Sequence, residues 1–145
     1  MLTKLIPTFT FFTVLALNSI SAVAAPNAVG QWLQGELAGQ SIQCKAAKVN
    51  SLFEISATNG EIKVTVTEQD RGENYTVEKY SMENGQLKIA LSNDVDGPLA
   101  QDLLLLPVNA IIAKANSLHG LDVYSEQYDG TTQRFQLDCQ IKNAH

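Results

Sequence analysis

In a chain of 145 residues, 15 acidic side chains against 10 basic ones leave a formal net charge of −5 at pH 7. Phosphate contacts need clustered Lys and Arg, so this balance argues against a nucleic-acid partner. It argues equally against docking on anionic lipid.

The chain opens with the parts of an export signal. Lys4 supplies a positive start, and Leu5 to Leu17 is an apolar stretch broken by Pro7 and threonines. Ala22-Val23-Ala24 has the small-x-small pattern of a cleavage site. The apolar stretch is ~13 residues long, where a membrane-spanning helix needs about 20. Residues 1–24 are therefore expected to be a cleaved signal peptide, and residues 25–145 a single β-barrel domain. Removing 24 of the 145 residues leaves 121, enough for one core. Lys4 is the one charge removed, so the remainder carries 9 basic residues against 15 acidic. No later segment is long enough to span a membrane. The expected compartment is periplasmic or extracellular, with no membrane association after cleavage.

Beyond the signal, the apolar period is two rather than 3.6. Gly30-Gln31-Trp32 is read as the start of the first strand, and Ile42, Cys44 and Ala46 continue in phase. Ile62, Val64 and Val66 alternate with polar residues, as do Leu87, Ile89 and Leu91, and then Phe135, Leu137, Cys139 and Ile141. Each is a strand with one wet face. Asn59-Gly60, Asn84-Gly85 and Asp129-Gly130 sit between such runs, where tight hairpin turns need positive φ. These turns predict pairing of 52–57 with 61–68, 75–82 with 86–92, and 121–128 with 131–141. Between Val77 and Tyr80 the phase slips, which predicts a bulge. Asp70–Asn74 and Asn93–Pro98 are read as polar loops. Leu103–Leu106 is read as a strand buried on both faces and ended by Pro107. Ala110–Leu118 is either a strand or a short helix capped by Asn109. The strand is preferred, running into a loop at His119-Gly120.

The two cysteines, Cys44 and Cys139, are expected to pair in an oxidising compartment. The bridge would make the first and last strands neighbours. Closing so long a loop contributes about 4–5 kcal/mol in the chain-entropy model. With hairpin connections throughout, the fold class is all-β: an antiparallel up-and-down β-barrel or closed sandwich of about eight to nine strands, held by one disulfide.

A Gly-x-Trp at the start of the first strand resembles the lipocalin and lipocalin-like barrels. In that family the tryptophan plugs one end of the barrel and an arginine of the last strand covers it. The resemblance assigns those structural roles to Trp32 and Arg134. Leu121-Asp122-Val123-Tyr124 loosely resembles the family's Thr-Asp-Tyr segment, and the likeness covers two short patches in all. Were the barrel hollow, inward Ile55, Ile62, Val64, Leu87, Ile89, Phe135 and Leu137 would line a ligand cavity. A filled core is the alternative.

Other motifs fall short. Aligning Gly97 to the sixth position of a calcium loop makes Ser92 the first ligand and Leu103 the twelfth, where a bidentate Glu is required. Two cysteines with His119 and His145 have no metal spacing. No Ser-His-Asp set or Gly-x-Ser-x-Gly is present. Glu126 and Asp138 read as solvated faces of neighbouring strands. No catalytic residue, metal or cofactor is therefore expected, and the chain reads as a non-enzyme. The leading expectation is an exported protein that holds a small apolar ligand in its barrel. The alternative is a periplasmic module that binds a protein partner such as a hydrolase. It would act through loops Gln69–Asn74 and Asn93–Pro98, with Tyr75 and Tyr80 as aromatic anchors.

Overall fold

The computed structural model describes residues 26–46, 50–68, 71–92, 100–126 and 129–143. The expected signal at 1–24, the segment Asn93–Pro98 and His145 lie outside the described residues.

Strand-forming alternation organises the chain from Gln40 onward. The strands are β1 (Gln40–Ala46), β2 (Ser51–Thr58), β3 (Glu61–Glu68) and β4 (Arg71–Glu83), then β5 (Gln86–Ser92), β6 (Ala100–Pro107), β7 (Leu118–Glu126) and β8 (Thr132–Asn143). Each pairs antiparallel with the next, and β8 returns to pair with β1, closing an up-and-down barrel of eight strands. Closure leaves no sheet edge among these strands to recruit another chain.

The Asn-Gly turns behave as their φ requirement dictates. Asn59 and Gly60 have φ of 53° and 74°, as do Asn84 and Gly85, so β2–β3 and β4–β5 are tight hairpins. The third turn is looser. Gly130 alone of its pair takes positive φ, at 71°. The Asp129 carboxylate accepts hydrogen bonds from the Thr131 hydroxyl at 2.7 Å and its backbone N–H at 2.9 Å. Those bonds hold that carboxyl below its ordinary range. The expected bulge is present: the β4–β5 register shifts between Val77 and Lys79, around Glu78.

Cys44 and Cys139 face each other across β1 and β8 and are bonded, with a Cα–Cα distance of 4.0 Å. The disulfide staples the seam where the barrel closes, as the end-to-end reading required.

Several expectations are corrected. First, Gly30-Gln31-Trp32 does not start a strand. It lies in α1 (Pro26–Leu37). Val29, Leu33 and Leu37 recur every four residues and form its buried stripe. Gly30 and Gly35, poor helix formers, disguised that period. The helix ends where Ala38 and Gly39 turn left-handed, at φ 49° and 83°. Trp32 packs half-buried on the core from this helix. Arg134 is exposed, two residues into β8, where it pairs with Val123. It stands on the outer wall towards the other end and does not cover Trp32.

Second, Ala110–Leu118 is not a strand. Val108–Ile112 forms a short helix, α2, with Pro107 rather than Asn109 at the cap position. Lys114 then turns left-handed, at φ 51°, and His119-Gly120 belongs to β7. Third, Arg71–Asn74 extends β4 and pairs with Thr65–Glu68, because the β3 backbone needs its ladder whatever the side-chain polarity. In β6, burial alternates: Leu104 and Leu106 are buried, whereas Leu103 and Leu105 are half-buried on the outside.

One end of the barrel is plugged. Gly30 presses against the β2–β3 turn so closely that an added Cβ would lie 1.8 Å from the Gly60 carbonyl oxygen. The Gln34 side-chain oxygen accepts the Gly60 N–H at 2.8 Å, and the Tyr80 hydroxyl donates to the Gly60 carbonyl at 3.3 Å. Val29, Leu33 and Leu37 of α1 and Ile111 of α2 join the barrel's inward aliphatics in one core. Lys114 reaches Glu36 at 3.5 Å, linking the α2 turn to α1.

Candidate functional site

The opposite end is open, and its lining follows from register. On the inner face, Cys44 faces Phe53, and Ser51 faces Glu68. On the other side, Asp102 of β6 faces Tyr124 of β7, and Asp122 faces Phe135 of β8. Tyr75 enters from β4, and Gln133 and Ala46 complete the rim. Apart from the buried Cys44, these residues line a mouth cavity of about 250 Å³.

Its floor holds an acid pair. Asp102 and Asp122 sit on adjacent strands two residues out of register, the diagonal spacing at which side chains meet. They retain only 8% and 4% exposure. Burial, with the neighbouring Asp102 charge and a hydrogen bond to it, raises the Asp122 carboxyl from 3.8 to about 8. A hydrogen bond between two carboxyl groups requires that one be protonated. Near neutral pH the pair therefore shares a proton. Asp122 Oδ1 is the one buried side-chain polar atom among the described residues without a hydrogen-bond partner. An unsatisfied buried acceptor costs about 1–3 kcal/mol, which a ligand's donor would offset.

The rim is better satisfied. Glu68 accepts a hydrogen bond from Ser51 Oγ at 3.1 Å, and the Tyr124 hydroxyl donates to Glu126 at 2.8 Å. Phe53, Tyr75, Tyr124 and Phe135 supply the apolar and aromatic wall. Among the described residues, no group of three His, Cys, Asp or Glu side chains is arranged to hold a metal ion.

Of the residues expected to line a cavity, Phe135 does so. Ile55, Ile62, Val64, Leu87, Ile89 and Leu137 are buried in the apolar core between the mouth and the helical plug. The aromatic anchors of the loop reading are also elsewhere. Tyr75 turns into the mouth, and Tyr80 is half-buried beneath α1. His119 is exposed on β7 with Nδ1 2.9 Å from Asp138 Oδ1.

Sequence reasoning missed Asp102 and Asp122. In β7, the inward set is Leu118, Gly120, Asp122, Tyr124 and Glu126, while Leu121 and Val123 face outward. A hydrophobic pattern alone assigns these faces the wrong way round. One signal was available: Asp102 stands in phase with Leu104 and Leu106, so it shares their buried face.

The chain matches no protein-family model, no curated protein and no solved structure.

Proposed function

We propose that this is an exported, non-enzymatic binding protein of lipocalin-like type, which holds a small ligand at the mouth of its barrel. The observation that carries this reading is the mouth cavity of about 250 Å³, opposite an end plugged by helices. Barrel mouths with apolar walls and a few convergent polar groups are common ligand sites. The disulfide suits an oxidising compartment. Among the described residues, no helix is long and apolar enough to cross a membrane.

The ligand's apolar body would lie against Phe53, Tyr75 and Phe135, and its polar group would point to the acid pair. Burying roughly 150 Å² of apolar ligand surface is worth about 4 kcal/mol. By itself that gives affinity of only about 1 mM, so the polar contacts must supply the rest.

The test is fluorescence titration with N-phenyl-1-naphthylamine, a neutral apolar probe, on the folded, oxidised protein. The wild type should enhance its emission saturably. Gln133 is exposed at the rim, so Gln133→Trp should block the mouth without disturbing the core, weakening the probe at least tenfold. Absence of binding to the wild type, or equal binding to Gln133→Trp, would remove the mouth as the ligand site.

A further inference from the structure

Three carboxyl groups line or floor the mouth, from Glu68, Asp102 and Asp122. Such a lining rejects anions and favours cations. Within it, Asp122 Oδ1 is a buried acceptor with no donor, on a side chain only 4% exposed. The pocket thus has an acceptor to fill as well as a negative field.

We propose that the mouth is a receptor for a primary amine carried on an apolar or aromatic body, with Asp102 and Asp122 as the counter-ion pair for its ammonium head. This rests on the mouth being the ligand site. A primary ammonium brings one positive charge and three N–H donors. One donor satisfies Asp122 Oδ1 and a second serves Asp102. A quaternary ammonium has no N–H and leaves Oδ1 unpaired. The aromatic wall of Phe53, Tyr75, Tyr124 and Phe135 suits a cation's flank as well as its apolar body.

Entry of the head exchanges one cation for another. The amine arrives as ammonium, the proton shared by the two carboxyls leaves to solvent, and no covalent bond in the amine changes. Among the residues whose side chains are described, the titratable groups that line the mouth with Asp122 are Asp102 on β6, Tyr124 on β7, Glu68 on β3 and Tyr75 on β4. β8 contributes Phe135 and Gln133, which do not titrate. Since Asp122 titrates at about 8 without ligand, affinity should rise with pH by up to about tenfold per unit below that value. It should level off above it while the amine stays charged.

The experiment is isothermal titration calorimetry of the folded, oxidised protein with 2-phenylethylamine, 2-phenylethanol and 3-phenylpropanoate. These probes share an aromatic body and differ in head charge. At pH 8 the amine should bind at least tenfold tighter than the alcohol, and the carboxylate should not bind. At pH 6.5 the amine's heat should differ between phosphate and Tris buffers, reporting proton release. Asp122→Asn, checked for folding by circular dichroism, should lose the preference for the amine and the proton release. Asp102→Asn provides a second test should the first variant fold poorly. Equal binding of amine and alcohol overturns the inference, as does an amine preference that survives in both variants. In either case the mouth reading stands if Gln133→Trp still blocks the bound probe. If neither these probes nor the neutral fluorophore binds, the mouth reading falls and the inference falls with it.

Discussion

The two ends of this barrel are built from the same strands and solve opposite problems. At the plugged end, α1 and α2 bring Val29, Leu33, Leu37 and Ile111 down on inward aliphatics. The polar groups there are matched, as Gln34 and Tyr80 show on the two polar atoms of the Gly60 backbone. At the mouth, the same inward positions carry Asp102, Asp122 and Tyr124, and one buried oxygen is unmatched. The first end gains stability from apolar burial. The second forgoes it by burying carboxyl groups that would be better solvated. A site that departs from the packing rule followed elsewhere in one fold is where binding is to be sought.

The largest effect should come from the plug. Leu33 is fully buried, and Leu33→Ala should destabilise by about 2–5 kcal/mol in urea unfolding, with mouth ligand binding retained in the folded fraction. A loss of probe binding under conditions where the variant is folded would show that the two ends are coupled.

Gly30→Ala sharpens the contrast between local and tertiary control. Helix propensity alone predicts a gain of about 1 kcal/mol. The added Cβ meets Gly60 backbone, so overpacking of about 1–3 kcal/mol should outweigh that gain and lower the melting temperature. A raised melting temperature would mean that α1 does not seat tightly on the β2–β3 turn.

At the mouth, the expected effect depends on pH. Asp122 titrates near 8 in the folded state and an unfolded Asp near 3.9. The native state therefore holds more protons between those values. Stability from this group is full below the lower value and is lost as pH rises through the window, by at most ~1.4 kcal/mol per pH unit. Asp122→Asn should flatten the slope between pH 5 and 8 and be the more stable form at pH 8. An unchanged slope in denaturant unfolding across that range would place the proton elsewhere.

The smallest effect belongs to the link between the helices. Lys114 and Glu36 are 3.5 Å apart and partly exposed, so Lys114→Ala should cost ~0–1 kcal/mol. A larger loss in thermal unfolding would mean that the plug depends on charge as well as on packing.

Much of this architecture was legible in the residues. Period-two alternation in β3, β5 and β8, positive-φ Asn-Gly turns, the bulge near Glu78 and two paired cysteines are local or single-bond signals, and each has its expected counterpart in the fold. The features that escaped reading depended on contacts between distant segments. The Val29-Leu33-Leu37 stripe is short and interrupted by glycines, and packing on the β2–β3 turn makes it a helix. In β7, Leu121 and Val123 carry the apolar signal but face outward beside Leu105 and Leu103 of β6. Register puts Gly120 on the inward face, and Leu106 leaves no room for a side chain there, an added Cβ falling 2.7 Å from its Cδ2. By itself, then, the sequence determined that strands would form, where they would turn and which ends would be tied, because φ limits, alternation and disulfide pairing are properties of short segments. Only the tertiary structure decided which face of β7 is inside, which end is plugged, and that two carboxyls 20 residues apart share one buried site. Those outcomes depend on barrel register, and register is settled only when all eight strands close.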